Sequence, residues 1–341
     1  MEGVNRKIVL VNRPARMISL EDFELRTEPI PSIRPGTFLL RNLYLSIDPA
    51  QRALFNENGA YGGTVPLGEA VWGPAVGEVL ESRCEGYAPG DLVEGWFDWQ
   101  DYVVSDGRRA GALGKIPNSI SPIEALSVHG LTALTAYFGL KEIGRPEPGD
   151  VVAVSAAAGA TGSVAAQIAR ISGATVIGIA GGPDKCRWLR DVAKVHHTID
   201  YKNENVAERM AALAPDGINV YFDNVGGSIL NDALGTLATR GRVVICGGIS
   251  TGYTGDDDLP PGPSNIVKLS IKRGRLEGFV VGDFRRQFGA ALDDLQRWVR
   301  EGELAYEVDI LEGIEEAPVG LLRVFEGKNL GKQLVRLAGS H

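Results

Sequence analysis

Cysteine is scarce in this chain, and its placement excludes two architectures. The three cysteines, Cys84, Cys186 and Cys246, are far apart and form no Cys-x-x-Cys pair. Neither a disulfide framework nor a structural zinc cluster is indicated, and a reducing, cytoplasmic setting is expected. Histidine is also sparse: His129, His196, His197 and His341 are the whole set, none at ligand spacing to a cysteine. Adjacent on a strand, His196 and His197 would face opposite ways, so no metal site is expected. No run of Lys and Arg stands out and the net charge is −8, which argues against nucleic acid as a partner. Long apolar runs are missing as well. The opening MEGVNRKIVLVNRP is too weakly apolar for a signal peptide or a membrane span, so no membrane partner is expected. No Gly-x-Ser-x-Gly elbow or Cys/His pairing marks a nucleophile.

Glycine, by contrast, is plentiful at 44 residues, and it implies many tight turns. Hydrophobic residues make up 44% and charged residues 23%, as in a soluble globular protein. A chain of 341 residues exceeds what one core usually holds, so two domains are expected.

The chain is organised around Val151–Arg170. Val151–Ser155 is β-branched or small, which suits a strand buried on both faces of a parallel sheet. A small-residue turn, Ala156–Gly162, leads into a helix with Val164, Ile168 and Ile171 at helical spacing. The turn reads Ala157-x-Gly159-x-x-Gly162, with Ala in place of the usual first Gly. A small residue at 157 permits the tight turn. Gly159 lets backbone approach a pyrophosphate, and Gly162 lets the helix pack close to the strand. With Ala160 and Thr161 these residues would offer helix N-terminal N–H groups to phosphates.

Before this point the chain is strand-rich. Lys7–Val11, Phe38–Ser46, Ala75–Glu81 and Asp91–Phe97 read as strands, and Glu57–Pro66, with Tyr61 inside it, as a mobile loop able to cover a site. Pro122–Gly139 reads as one helix. Beyond Val151 the pattern alternates: strands at 175–180, 197–201, 219–225, 242–249 and 275–281, with helices at 184–194, 204–214, 230–238 and 284–301. That rhythm predicts α/β architecture, a Rossmann doubly wound parallel sheet joined to a small β-rich, barrel-like domain. Strand, helix and strand at 304–337 break the rhythm and are expected to return to the first domain. The expected organisation is therefore residues 1–125, the substrate domain, residues 126–304, the dinucleotide domain, and residues 305–341, the return.

The second strand ends Ile179-Ala180-Gly181-Gly182, without the acid that accepts the adenosine ribose hydroxyls in an NAD site. Its absence leaves room for the 2′-phosphate of NADP. Lys185 is a candidate phosphate cation or else a solvated lysine; Tyr201 is a candidate hydroxyl donor to the same phosphate or else a packing residue. Asp184 beside Lys185 is either a repulsive neighbour or a helix cap.

Several stretches together carry a family resemblance. They are Leu45-Ser46-Ile47-Asp48-Pro49 with Arg52, Thr135–Leu140, Ser155–Ser163, Tyr221–Gly227, Cys246–Ser250, Leu259–Pro263, Glu277–Val281 and Gly327–Lys332. In that order the chain resembles the zinc-independent medium-chain reductases of the prostaglandin reductase, leukotriene hydroxydehydrogenase and 2-alkenal reductase group, which includes bacterial curcumin-reductase-like enzymes. The resemblance implies a GroES-like first domain and NADPH as cofactor. It implies that Gly159–Gly162 cradles the pyrophosphate and that Lys185 and Tyr201 hold the 2′-phosphate. By the same resemblance Asn224, the turn Cys246, Gly247, Gly248, Ile249 and Ser250, the strand Phe279, Val280 and Val281, and Asn329 line the rest of the cofactor site. It also implies a homodimer joined through edge strands of the cofactor domains; Arg275–Val281 is either such an edge or an ordinary inner strand. Two departures stand out: Ala50 and Gln51 replace the family's frequent Tyr and Met, and Gly252 shifts Tyr253 one place later.

Without a metal, hydride chemistry suits an alkene conjugated to a carbonyl. Hydride adds at the β-carbon, and the resulting enolate oxygen needs only hydrogen-bond donors. Tyr253 and Tyr61 are the candidate catalytic and substrate-side donors; Arg52 is either a substrate-positioning residue or a salt-bridge partner of Asp48. The expected activity is NADPH-dependent reduction of enones or alkenals in the cleft between the domains. The competing readings are a secondary-alcohol dehydrogenase, a quinone reductase, and a non-catalytic NADPH-binding protein.

Overall fold

The computed structural model describes residues 3–59, 63–254 and 261–337. In chain order the elements are β1 (Val4–Leu10), β2 (Phe23–Pro29), β3 (Phe38–Ser46), β4 (Pro74–Ser82), β5 (Leu92–Trp96), β6 (Tyr102–Ser105), β7 (Ala110–Lys115) and α1 (Pro122–Leu126). Next come α2 (Leu131–Phe138), β8 (Val151–Ser155), α3 (Ala160–Ile171), β9 (Thr175–Ala180), α4 (Pro183–Asp191), β10 (His197–Asp200), α5 (Val206–Leu213) and β11 (Ile218–Asp223). The chain continues through α6 (Gly227–Gly235), β12 (Leu237–Ile245), α7 (Lys268–Lys272), β13 (Arg275–Gly278) and α8 (Phe288–Arg300). It ends with β14 (Val308–Glu312), α9 (Ala317–Phe325) and β15 (Lys332–Arg336). It divides into two compact units: Met1–Gly130 with Gly252–Asp258 and Val308–His341, and Leu131–Thr251 with Leu259–Glu307.

In the first unit β1 and β2 form an antiparallel pair, and a seven-stranded sheet runs β14-β15-β3-β4-β5-β7 with β6 on β3. The tail joins this sheet because β15 pairs antiparallel with β3, Val335 opposite Leu45. The core beneath is built on Phe38, Leu45, Phe55, Phe97, Trp99 and Val335, all buried. Apolar burial of this kind is worth about 25 cal/mol per Å2, so these few aromatics do much of the holding.

In the second unit the six-stranded sheet is parallel, in the order β10-β9-β8-β11-β12-β13. Counted from its first strand in the chain, that order is 3-2-1-4-5-6, the doubly wound arrangement, and its direction reverses between β8 and β11. Val152, Ala153 and Val154 of β8 are fully buried, as the continuous apolar run requires.

Three local expectations need correction. The helix expected over 122–139 is broken at 127–130. Ser127 turns back with φ −113 and ψ −98, and its Oγ donates to Ile123 O at 2.7 Å. A Cβ on Gly130 would lie 2.8 Å from Ala125 O, so the chain folds onto its own first turn there. The fifth strand of the parallel sheet starts at Leu237, well before Arg242, and stops at Ile245. The sixth stops at Gly278, so Phe279, Val280 and Val281 are not strand; Val281 opens a 3-10 turn. β2 and β7 have no counterpart among the expected strands.

Candidate active site

The direction change between β8 and β11 opens a crevice at the carboxyl ends of these strands, where doubly wound sheets take ligands. Three strand ends are locked together there by one residue, Asp223, through its carboxylate and its backbone carbonyl. Asp223 Oδ1 accepts from Ser155 Oγ and from Tyr221 OH, each at 3.0 Å. It also accepts from the N–H groups of Val225 and Gly226 at 3.1 and 3.0 Å. Asn224 donates its side-chain amide to Ser155 O at 2.7 Å, bracing β11 against β8. Cys246 and Gly247 donate their N–H groups to Asp223 O at 2.9 and 3.0 Å, which brings in the end of β12. Burial pushes the Asp223 carboxyl above its ordinary value, opposed by the Gly226 and Val225 N–H donors. Burial, with Asp223 beside it, pushes the Cys246 thiol up to about 12. Sequence reasoning placed Asn224 in this region but missed Ser155, Tyr221 and Asp223 as its framework; the signal was a Tyr-x-Asp-Asn run closing an apolar strand.

Gly159 caps α3 with extended backbone, φ −88 and ψ 177. A Cβ there would meet only Ala156 O, at 3.2 Å, so the space in front of the helix start is open. Gly162 is different: its Cβ would fall 2.2 Å from Ala156 O and 2.9 Å from Ala157 Cα. The turn is tight enough to hold Ala156 at φ +48. The first N–H groups of a 12-residue helix, those of Ala160, Thr161 and Gly162, lack intrahelical acceptors and face a positive dipole end. In shape and charge this cradle can hold a pyrophosphate.

At the next strand end, Gly182 caps α4 with φ +98, and Asp200 Oδ1 accepts its N–H at 2.8 Å. The Tyr201 ring lies over Gly181, where a Cβ would fall 2.8 Å from its hydroxyl, and Tyr201 remains 42% exposed. Lys185 sits in the first turn of α4, half-buried. Asp184 is no cap: its carboxylate pairs with Arg187 at 2.9 Å, on the exposed side of the helix. Asp200, which holds this turn from the third strand, was not singled out from sequence.

The turn after β12 is self-braced. Ser250 N–H donates to Val225 O at 3.0 Å, and Thr251 N–H to Gly248 O at 2.9 Å; Ile249–Thr251 is a single 3-10 turn. Phe279 packs toward Phe284, centroids 6.4 Å apart, while Val280 is exposed.

The remaining candidates lie in the first unit. Arg52 does not pair with Asp48. It is fully buried, and its guanidinium donates to Pro14 O at 2.8 Å, Arg16 O at 3.0 Å and Asn56 Oδ1 at 2.7 Å. Asp48 instead receives Lys332 Nζ at 2.9 Å and Ser46 Oγ at 2.6 Å. With its donors spent on protein oxygens, Arg52 reaches Tyr253 through Asn56, whose amide donates to Tyr253 O at 3.2 Å. Gly252 and Tyr253 both have positive φ, +67 and +52, and the Tyr253 ring packs edge-on to Phe325, centroids 6.5 Å apart. Two successive left-handed residues are the structural consequence of the inserted glycine. Asn329 is buried and donates to Gly331 O at 2.9 Å. Tyr61 lies outside the described residues.

The fold and the cradle define a two-domain oxidoreductase of the medium-chain type. A model for the N-terminal domain of oxidoreductases matches residues 6–113, and one described as zinc-binding dehydrogenase matches residues 160–297. The chain is 36% identical to the NADPH-dependent curcumin reductase of Escherichia coli K12, over 98% of this chain and 97% of that one. It is 36% identical to bovine prostaglandin reductase 1, covering 92% and 94%. The solved structure of CurA from Vibrio vulnificus in complex with NADPH superposes with a TM-score of 0.91 at 37% identity, covering 97% of this chain and 99% of that one. The chain therefore belongs to the medium-chain reductase group that holds the prostaglandin and curcumin reductases. The zinc of the second model's description finds no donor set among the described residues. Among the described residues no three His, Cys, Asp or Glu side chains are placed to hold a metal, and the Cys84 thiol lies against the carbonyls of Glu85 and Asp106.

Proposed function

We propose that the chain reduces the C=C bond of α,β-unsaturated ketones and aldehydes with NADPH, without a metal. The observation that supports this most directly is the open Gly159 cradle at the start of α3, in a chain similar along its whole length to NADPH-dependent double-bond reductases. Bound there, NADPH supplies a hydride for the β-carbon of the conjugated alkene. The N–H groups of Ala160, Thr161 and Gly162 hold its pyrophosphate, and Lys185 and Tyr201 take the 2′-phosphate that an acid at the end of β9 would repel. Asn224, the Cys246–Ser250 turn, Phe279, Val280, Val281 and Asn329 shape the remainder.

Tyr253 is the hydrogen-bond donor for the carbonyl oxygen on which negative charge develops, with Tyr61 as second donor. Arg52 and Asn56 hold the Tyr253 peptide, so their part is positioning. The protein works as a homodimer joined along β13. An NADPH-oxidation assay with a panel of enones and alkenals tests the reading, with enone turnover expected and a fall of about 100–1,000-fold in kcat for Tyr253→Phe. Oxidation of secondary alcohols without enone turnover, or NADPH binding with no turnover on any acceptor, overturns it.

A further inference from the structure

One charged feature of the second unit is not used by the reductase reading. The tripeptide Arg-Gly-Arg occurs twice, at Arg240-Gly241-Arg242 and Arg273-Gly274-Arg275. The fold sets the two copies side by side, because Arg242 of β12 is in register with Arg275 of β13. Arg240, Arg242, Arg273 and Arg275 together line an open cleft of about 330 Å3.

The second arginine of each copy is anchored by protein. Arg242 donates to Arg145 O at 2.8 Å and pairs with Asp150 at 2.5 Å. Arg275 donates to Ile143 O at 2.6 Å and meets Glu277 at 3.2 Å. Both therefore reach toward the segment leading into β8. Among the described residues the side chain of the first arginine of each copy has no hydrogen-bond or ion-pair partner. Both of these are held in the left-handed region, Arg240 at φ +63 and Arg273 at φ +53. Glycine or asparagine fits such a backbone at lower cost, so the turn geometry alone does not call for arginine. The neighbouring pair Arg145–Glu142 is self-compensating at 3.9 Å, and Lys272 adds a further positive charge on α7. Four guanidinium groups thus meet two carboxylates, in a protein whose overall charge is −8.

We propose that this cleft is a binding site for a small phosphate-bearing polyanion, separate from the cofactor cradle. Arginine forks match phosphoryl oxygens bidentately, and a dianion or trianion balances the excess charge. Nucleic acid is a poor fit, because no aromatic ring lines the cleft for base stacking and the rest of the surface repels a long polyanion. The cleft lies where β12 and β13 begin to pair, at Arg242 and Arg275, about 13 Å along β12 from Cys246 at ~3.3 Å per residue, whereas the cradle is at the carboxyl ends.

Calorimetric titration of the NADPH-saturated protein with inorganic pyrophosphate, orthophosphate or citrate tests this. Pyrophosphate is expected to bind with one site per chain. Arg240→Ala/Arg273→Ala should weaken it at least tenfold while NADPH affinity and enone turnover stay unchanged. Arg240→Gly/Arg273→Gly, which relieves the left-handed backbone, should fold at least as well and lose the same binding. Absence of pyrophosphate binding, equal binding by the variants, or citrate bound in preference to pyrophosphate overturns the proposal. So does a change of sedimentation mass in the alanine variant with no anion binding by the wild type, which would make the cleft a contact between copies.

Discussion

Gly159 and Gly162 stand three residues apart in one turn and do different work. At Gly162 an added Cβ would strike backbone, Ala156 O at 2.2 Å, so α3 would have to move off β8. Gly162→Ala should therefore cost about 1–3 kcal/mol of stability as well as cofactor affinity, seen in urea unfolding and NADPH titration. At Gly159 the only near neighbour is Ala156 O at 3.2 Å. Gly159→Ala should unfold within about 1 kcal/mol of wild type, the cost of a slight local adjustment, yet bind NADPH at least tenfold more weakly. Equal NADPH affinity in Gly159→Ala would remove the cradle from the cofactor site. The thiols give a second check at this scale. Burial raises the pKa of Cys186 and Cys246, and thiolate is the reactive form. Ellman's reagent at neutral pH should find one fast thiol, lost in Cys84→Ser. The glycine requirements were legible in the sequence because they are local to a few bonds. The partner of Asp48 was not, because Lys332 lies 284 residues away in the chain.

Elements show the same division between what adjacency dictates and what packing decides. The alternation beyond Val151 was legible because each strand or helix carries its own apolar period. The break at 127–130 was not, since Leu131–Phe138 continues the apolar spacing and only the approach of Gly130 to Ala125 reveals the turn. The join between β15 and the 3-10 turn Pro49–Phe55, which carries Arg52, is an element-scale device. Lys332 is buried at 2% exposure and donates to Ile47 O at 2.8 Å besides pairing with Asp48. Burial lowers its pKa from the ordinary lysine value, opposed by Asp48. Asp48→Asn leaves a buried charge uncompensated and should cost about 3 kcal/mol near neutral pH. The loss should shrink as pH rises toward the ordinary lysine pKa, because the neutral amine needs no counter-charge. In that interval the unfolded chain binds more protons than the folded one, so stability rises with pH. Urea midpoints of wild type and variant, at neutral pH and at about pH 9.5, read the difference; a pH-independent gap would show that the amine is already neutral in the fold.

At the scale of the whole molecule the sequence conveyed two domains and a doubly wound parallel sheet, but left open where 275–281 falls in its order, which depends on pairings between residues far apart in the chain. That order matters because it makes β13 an edge strand, with backbone groups on one side unpaired among the described residues. The other edge, β10, carries His197, Thr198 and Asp200 and no large exposed aliphatic side chain. Around β13 the surface is different: Ile266, Val267, Ile271, Leu276 and Val280 are all exposed, Ile271 at 62% and Leu276 at 37%. An edge strand flanked by exposed apolar side chains, whose own charges Arg275 and Glu277 pair with each other, is a template for pairing. A second copy, related by a two-fold axis, would cover it with the same surface that it presents. If that pairing makes the homodimer, charge placed on it should separate the chains while leaving each sheet intact. Leu276→Lys/Ile271→Lys should sediment as a single chain where wild type sediments as two, with far-ultraviolet circular dichroism unchanged, since both side chains are exposed in the isolated chain. A double variant that still sediments as two chains would place the contact elsewhere, and a wild type that sediments as one chain would remove the homodimer altogether.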